Sequence, residues 1–472
     1  YTPEQPATFR YAGVSYEAKV RLRGASARTF PKKSWNVDIK GKLPDGRGTL
    51  NLIAEFQDST MMAEKLAYDV LEALGAPSPK AKFVRVFLNG KFQGVYVDLE
   101  QVNKTFLKSR GMDADGTVFR TGWKDNEFKT YRLPYQGDWK KKTNEKQPGR
   151  EDLEDFLRVL NYTPEPDFAA ALGGRFELDW YLRSMTMDAL MSNNYIEDSE
   201  SYVIRDHVSG KWFYVPWDLN NVDARWWPTY ALGMKPISKH PLWIFSLTDN
   251  KLQRIYDSRK GLYPGYQPVF SNLNTRIALN PALREQVSAL VEQALGDFFN
   301  PAVLEPRIDA MRALIAADMA KDPYIDQAKW AAGTPFLKQY VRERVPFLRS
   351  ELARYRTQQP ALVIERFDPQ QGWVELRNRS ASPVNVGGMT LTNNLRKPML
   401  RNLRPRTIQP GETVRYTARQ LNLTFAPEGE VGLFDGRTEF GMKDALFYGR
   451  TPAGTLYARN GVDPKRWEVR AP

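Results

Sequence analysis

The chain has no cysteine among its 472 residues and only two histidines, His207 and His240. Disulfides, thiolate metal sites and cysteine nucleophiles are therefore excluded. A histidine-cluster metal site or a Ser-His-Asp triad has little to build on. Any chemistry must run on Asp, Asn, Lys and Arg, the residue set that phosphoryl transfer uses. A cysteine-free chain fits a bacterial protein of either compartment better than a small secreted animal domain. Apolar runs of 18 or more residues are also missing, so no membrane span is expected. Long basic runs are missing too, and nucleic acid is not an expected partner. The first residue is Tyr1 rather than Met, so the sequence reads as trimmed, with any signal peptide already removed.

What is present suffices for packed cores: 42% hydrophobic and 12% aromatic residues. The length calls for two or three domains. The net charge is +13, shared between 51 basic and 44 acidic residues up to position 360 and 17 against 11 beyond it. An excess spread this evenly suits a solvated surface, or acidic partners such as nucleotides and cell-surface polymers.

Residue periodicity sketches the elements. Ala18, Val20 and Leu22 alternate with Lys19, Arg21 and Arg23 as in a half-buried strand, and Trp35, Val37 and Ile39 repeat the pattern. Met61, Leu66, Val70, Leu71 and Leu74 recur at helical spacing, with Asp58 or Ser59 as N-cap and Gly75-Ala76-Pro77 as stop. Residues 83–88 and 92–97 flank Asn89-Gly90, a two-residue hairpin turn. Residues 124–150, polar and poor in aliphatics, suggest a long surface excursion. Residues 151–192 look helical. A second hairpin pairs 202–204 with 212–215. Residues 281–356 form three helices, with Pro281, Pro301 and Pro335 each just inside a helix start. After the linker Gln358-Gln359-Pro360, short β runs separated by Gly, Pro and Asn predict a sandwich over 361–472.

Three positions carry candidate chemistry. Extrapolating the strand through Trp35, Val37 and Ile39 puts Lys33 on the apolar face. There it must pair with an acid or a phosphate, unless it ends the strand and snorkels to water. Asp218 ends the strand before Leu219-Asn220; it suits a hard cation such as Mg²⁺ or caps the next turn. A hairpin centred between Val208 and Ser209 makes paired positions sum to 417, so Tyr202 faces Val215 and Ser199 faces Asp218. That brings Glu197-Asp198-Ser199-Glu200 to the same end as Asp218, the arrangement of a phosphotransfer site. Glu100 follows the Asn89-Gly90 hairpin. It marks a hinge that holds an adenine edge through backbone groups, or it is a helix N-terminal acid.

Taken together, these stretches resemble the CotH (spore coat protein H) kinase family. The matching motifs are Val20-Arg21-Leu22-Arg23-Gly24-Ala25-Ser26, Phe30-Pro31-Lys32-Lys33-Ser34-Trp35, Glu64-Lys65-Leu66-Ala67-Tyr68-Asp69, Phe87-Leu88-Asn89-Gly90-Lys91-Phe92-Gln93-Gly94-Val95-Tyr96 and Lys211-Trp212-Phe213-Tyr214-Val215-Pro216-Trp217-Asp218-Leu219-Asn220. The resemblance implies an α+β chain: an atypical protein-kinase-like fold over residues 1–357, followed by an immunoglobulin-like β-sandwich over 361–472. It implies ATP with Mg (or Mn) as cofactors and a secreted, coat or cell-surface protein as phosphate acceptor. It implies Arg23 and Lys33 on the phosphates, Glu100 at the hinge, and Asp218 with Asn220 on the metal. The family pattern has Asp where this chain has Asn220, and an Asn where it has Ser201. Asp198 is then either the catalytic base or a surface acid, and in the second case the chain is a pseudokinase acting as a binding scaffold. The tail, through Gly372-Trp373-Val374-Glu375-Leu376 and Gln409-Pro410-Gly411-Glu412, looks like a lamin-tail domain, a module for anchoring to a surface or coat polymer. The expected location is extracellular, periplasmic or on the cell surface or spore coat. A third reading, a glycan binder, rests on the aromatics and on Arg225-Trp226-Trp227-Pro228.

Overall fold

A computed structural model describes residues 3–24, 26–121, 128, 139–146, 151–193, 200–220, 237–243, 272–357, 359–395, 397–437 and 441–472. Six strands form the N-terminal sheet: β1 (Gln5–Tyr11), β2 (Val14–Leu22), β3 (Trp35–Ile39), β4 (Thr49–Ile53), β5 (Ala81–Leu88) and β6 (Lys91–Leu99). Their order is β1-β2-β3-β4-β6-β5, and every pairing is antiparallel. The expected alternation holds, with Val20 opposite Val37 and Leu22 opposite Trp35. Val37, Ile39, Leu50, Leu52 and Tyr96 close one core on that face. Asn89 and Gly90 both take positive φ, 49° and 77°, which suits the strand twist of a two-residue turn.

Helix α1 (Ala63–Ala73) starts later than its pattern predicts. Asp58 still serves the helix N-terminus: one carboxylate oxygen accepts from the Thr60 amide at 2.8 Å and the other from the Ala63 amide at 2.8 Å. Gly75 (φ 75°) follows its C-terminus, the position where a left-handed residue ends a helix.

The middle of the chain adds α2 (Lys104–Ser109), β7 (Thr117–Arg120), β8 (Lys140–Lys141), α3 (Glu151–Tyr162), α4 (Glu165–Arg175), α5 (Leu178–Met191), β9 (Glu200–Arg205) and β10 (Trp212–Trp217). The sheet order is β10-β9-β7-β8. The register of β9 and β10 is the one expected, with Tyr202 opposite Val215 and Glu200 opposite Trp217; Ser199 lies outside the described residues. Much of the segment 124–150 also lies outside them. Two of its aromatics correct the surface reading: Phe128 and Trp139 are buried, their rings edge-on at 5.9 Å.

Four helices follow: α6 (Asn272–Leu279), α7 (Pro281–Asp297), α8 (Pro301–Met319) and α9 (Gln327–Thr357). Pro281 and Pro301 open α7 and α8 behind the side-chain caps Asn280 and Asn300. Pro335 does not open a helix; it lies inside α9. The start signal there is Asp326, whose carboxylate accepts from the Ala328 and Lys329 amides. Burial of Trp330, Leu337, Tyr340, Val341, Leu348 and Leu352 carries the helix past the amide hydrogen that the proline lacks.

The C-terminal region is β11 (Leu362–Asp368), β12 (Trp373–Asn378), β13 (Val384–Asn385), β14 (Met389–Thr392), β15 (Arg401–Asn402), β16 (Thr407–Ile408), β17 (Thr413–Thr417), the short helix α10 (Ala418–Leu421), β18 (Gly429–Asp435), β19 (Met442–Tyr448), β20 (Leu456–Arg459) and β21 (Trp467–Arg470). Sheets ordered β17-β12-β11-β20-β21 and β15-β14-β18-β19 share one core, in which Ile364, Val374 and Leu376 meet Leu391, Val431 and Leu433. The whole chain is thus a mixture of helix and antiparallel sheet. The C-terminal sheets pack against the helices through Arg276 of α6. Its guanidinium is buried 3.6 Å from the Phe168 ring and 5.1 Å from Phe447 of β19. It donates to the Leu160 and Thr163 carbonyls and to the Glu165 carboxylate.

Candidate functional site

The face of the N-terminal sheet opposite its apolar core carries a polar row. Cross-strand pairing puts Arg21 opposite Asn36, and Asn36 opposite Asn51; directly paired residues share a face. Asn36 Nδ2 donates to Asn51 Oδ1 (3.2 Å), Asn51 Nδ2 to Gln101 Oε1 (3.0 Å), and Gln101 Nε2 to the Tyr202 hydroxyl (3.2 Å). The row therefore runs from β3 to β9, from the first sheet to the second.

Cations gather at its other end. Arg23 extends β2, its amide bonded to the Ser34 carbonyl at 3.0 Å. Its guanidinium is 5.8 Å from the Trp217 ring centroid. Burial works against its charge, Asp218 supports it, and neighbouring Arg120 opposes it. Arg120, at the end of β7, bonds Glu200 of β9. Lys142 is pushed below the usual lysine range by burial and then by Arg120, with smaller contributions from Lys140 and Arg21. Arg21 Nε, Arg23 Nη1 and Arg120 Nε are buried with no hydrogen-bond partner among the described residues. Buried donors left open in this way are costly and point to a ligand.

Acids line the adjoining wall. Glu64, in the first turn of α1, accepts from the Leu219 amide at 3.2 Å and is hydrogen-bonded to Glu55. Burial pushes the Glu55 carboxyl well above the carboxylate range, and Glu64, Asp58 and Asp218 push it further. Burial raises Glu64 as well, against the Glu55 hydrogen bond and Arg23. Glu64 Oε2 and the Tyr68 hydroxyl are buried without a hydrogen-bond partner among the described residues. Asp218 is held at φ 61°, a left-handed conformation that costs a non-glycine residue about 1 kcal/mol or more and collects at functional sites. Among the described residues no group of three or more His, Asp or Glu is spaced to hold a metal ion by itself. An open carboxylate oxygen beside open guanidinium hydrogens instead fits a ligand carrying both charges, such as a metal-bound polyphosphate.

Of the residues expected from the sequence, Arg23 and Asp218 come together, and half-buried Asn220 follows two positions on. Asp198 and the Arg225–Pro228 cluster lie outside the described residues. Lys33 does not point inward. Its Nζ donates to the Arg28 carbonyl at 2.8 Å on the exposed side, because β3 begins only at Trp35 and the alternation does not reach back to it. The buried lysine is Lys32. Its Nζ contacts Asp322 Oδ2 at 2.7 Å, the Val95 carbonyl at 2.6 Å and the Tyr96 ring at 4.8 Å. Asp322 lies between α8 and α9, so this pair fastens the first sheet to the last helices. Gly94 (φ 102°) makes room for it: a Cβ there would lie 1.9 Å from Asp322 Oδ2.

The Glu100 carboxylate is engaged by Arg110, at 2.8 and 2.6 Å, and by the Lys80 amide; the Glu100 amide bonds the Lys80 carbonyl. The residues that the sequence did not flag are Glu55, Glu64, Tyr68, Arg120 and the amide row. Glu64 had a signal, since it and Tyr68 lie four apart on the apolar side of α1.

Fold and cluster together define a mixed helix-and-sheet protein with a buried site of opposed charges between two antiparallel sheets. The chain belongs to the CotH family: the family model described as CotH kinase protein matches residues 20–348. It is 26% identical over 363 residues to inner spore coat protein H of Bacillus subtilis (strain 168), covering 74% of this chain and 91% of that protein. An inner spore coat protein H-like protein of the same organism is 21% identical over 324 residues, covering 68% and 84%. Spore coat protein homolog 1 of Rhizopus delemar is 22% identical over 307 residues, covering 63% of this chain and 46% of that protein.

Proposed function

We propose that this protein is an atypical ATP- and Mg-dependent protein kinase of the CotH type, phosphorylating a secreted, coat or cell-surface protein. The observation that carries the reading is the pair of buried guanidinium N–H groups, Arg23 Nη1 and Arg120 Nε, that lack a hydrogen-bond partner among the described residues and interact with Asp218, Arg23 with Glu64 as well. Arg23 and Arg120, with Lys142, hold the phosphates, and Asp218 with Asn220 and Glu64 holds Mg²⁺ or Mn²⁺. Bound there, the metal neutralises charge on the transferring phosphoryl group. The segment after Glu100 forms the adenine hinge through its backbone, and Asp198 takes the proton from the acceptor hydroxyl. In this reading residues 1–357 are a two-lobed kinase-like domain. Residues 361–472 are then an immunoglobulin-like, lamin-tail-type module that anchors the enzyme. The names of the relatives support a place on the spore coat. Among the described residues no helix is long and apolar enough to cross a membrane.

A second reading, a pseudokinase scaffold, draws on Ser201. At the position where the family pattern has an amide, the Ser201 hydroxyl is buried at 3.1 Å from the Thr121 hydroxyl. Melting temperature and phosphate transfer, measured with ATP and Mg²⁺ on wild type and Asp218→Ala, separate the two. The kinase reading expects a metal-dependent ATP shift and transfer, both lost in the variant. A shift without transfer moves the protein to the scaffold reading, and transfer undiminished in the variant removes Asp218 from the metal.

A further inference from the structure

The amide row has a direction, and backbone carbonyls fix it. Asn36 Nδ2 also donates to the Leu50 carbonyl, Asn51 Nδ2 to the Leu99 carbonyl, and Gln101 Nε2 to the Val102 carbonyl. Each amide must therefore present its NH₂ where it does, because reversing one would set an oxygen against a carbonyl oxygen. Every donor then points along the row toward Tyr202. One acceptor is left over at the start of it: Asn36 Oδ1 is buried, with no partner among the described residues. Asn36 itself is 4% exposed. A buried acceptor left open asks for a hydrogen-bond donor.

Position narrows the donor. Asn36 stands one strand from Arg21, where the cations gather, and two strands from the Leu99–Gln101 end. At about 4.8 Å per strand the row spans roughly 14 Å, the scale of an extended nucleoside triphosphate. A phosphate offers only acceptors, so it does not suit Asn36 Oδ1. The group between phosphates and base is the sugar, whose hydroxyls donate.

We propose that Asn36 Oδ1 accepts a hydrogen bond from a ribose hydroxyl of the bound nucleotide, so that this polar row selects ribonucleotides over their deoxy analogues. The inference rests on the nucleotide-binding reading above and names Asn36 as a specificity residue of that site. Asn51 and Gln101 are positioning residues that hold Asn36 in its orientation.

Calorimetric titration with Mg²⁺ complexes of ATP, 2′-deoxy-ATP, 3′-deoxy-ATP and the purine riboside triphosphate, which lacks the exocyclic amine, tests it. In wild type one of the two deoxy analogues binds about tenfold more weakly than ATP, the effect of leaving one buried acceptor unmet, while the amine-free analogue binds like ATP. In Asn36→Ala that gap closes. The wild-type analogue series decides the matter even where the variant does not fold. Equal binding of ATP and both deoxy analogues overturns the inference and leaves the kinase reading standing. A loss with the amine-free analogue alone overturns it by moving the contact to the base. Failure of ATP itself to bind overturns both.

Discussion

Glu55 and Glu64 share a hydrogen bond that needs a proton between two carboxylates, and the surrounding acids and burial keep that proton on Glu55. The sign of the consequence follows from linkage. Above the ordinary glutamate value, 4.5, the unfolded chain has lost this proton and the folded chain has kept it. Stability therefore falls as pH rises from there through the raised value. Urea midpoints of wild type should decline with rising pH relative to Glu55→Gln, by up to about 1.4 kcal/mol per pH unit. A wild-type profile parallel to the variant's removes the shared proton. This chemistry was hard to see in the sequence because Glu64 stands where any helix favours an acid. Lys32 and Lys33 show the same difficulty. Nothing local distinguishes them, and the partner that buries Lys32 stands 290 positions away. Asp218 was legible because it directly follows a strand, whereas Arg23 was marked by the family resemblance alone.

Elements set by short-range rules followed the sequence closely. The Asn89-Gly90 turn and the β9–β10 register depend on neighbours a few residues apart, and both formed as the pattern dictates. Elements set by tertiary packing did not. Helix α1 begins only after a loop capped by Asp58, and α9 runs through Pro335. The link between the first sheet and the α8–α9 connection is of the second kind: its ion pair has no exposed atoms on either side chain, and hydrogen bonds from the Val95 amide to Asp322 and from Tyr324 to Gln93 add to it. Asp322→Asn leaves Lys32 charged and buried without its counterion, and should cost about 3 kcal/mol or more. The double change Lys32→Met with Asp322→Leu removes both charges and should recover most of that loss. Chemical denaturation of the three proteins reads the result. A double variant no better than the single one means that the pair contributes more than mutual neutralisation.

At the scale of the whole molecule, the C-terminal sheets are fastened to the helices rather than tethered beside them. Arg276 fills the seam, and Gly449 passes so close that a Cβ there would meet the Tyr162 carbonyl at 2.2 Å. Arg276→Ala leaves Glu165 buried without its counterion and should destabilise the seam by about 3 kcal/mol. Amides of β19 and β21 should then exchange before those of the N-terminal sheet, whereas unchanged protection would show a seam held by its apolar contacts alone. The sequence marked a change of texture near residue 360 but not this seam, because Arg276 looks like any helix-surface arginine until Phe168 and Phe447 enclose it. The Lys32–Asp322 pair carries one more consequence. On a ribosome adding about 5–20 residues each second, Lys32 emerges roughly 15–60 s ahead of the aspartate that neutralises it. The N-terminal sheet is thus made well before Asp322, and each nascent chain passes through a stage in which Lys32 lacks that counterion.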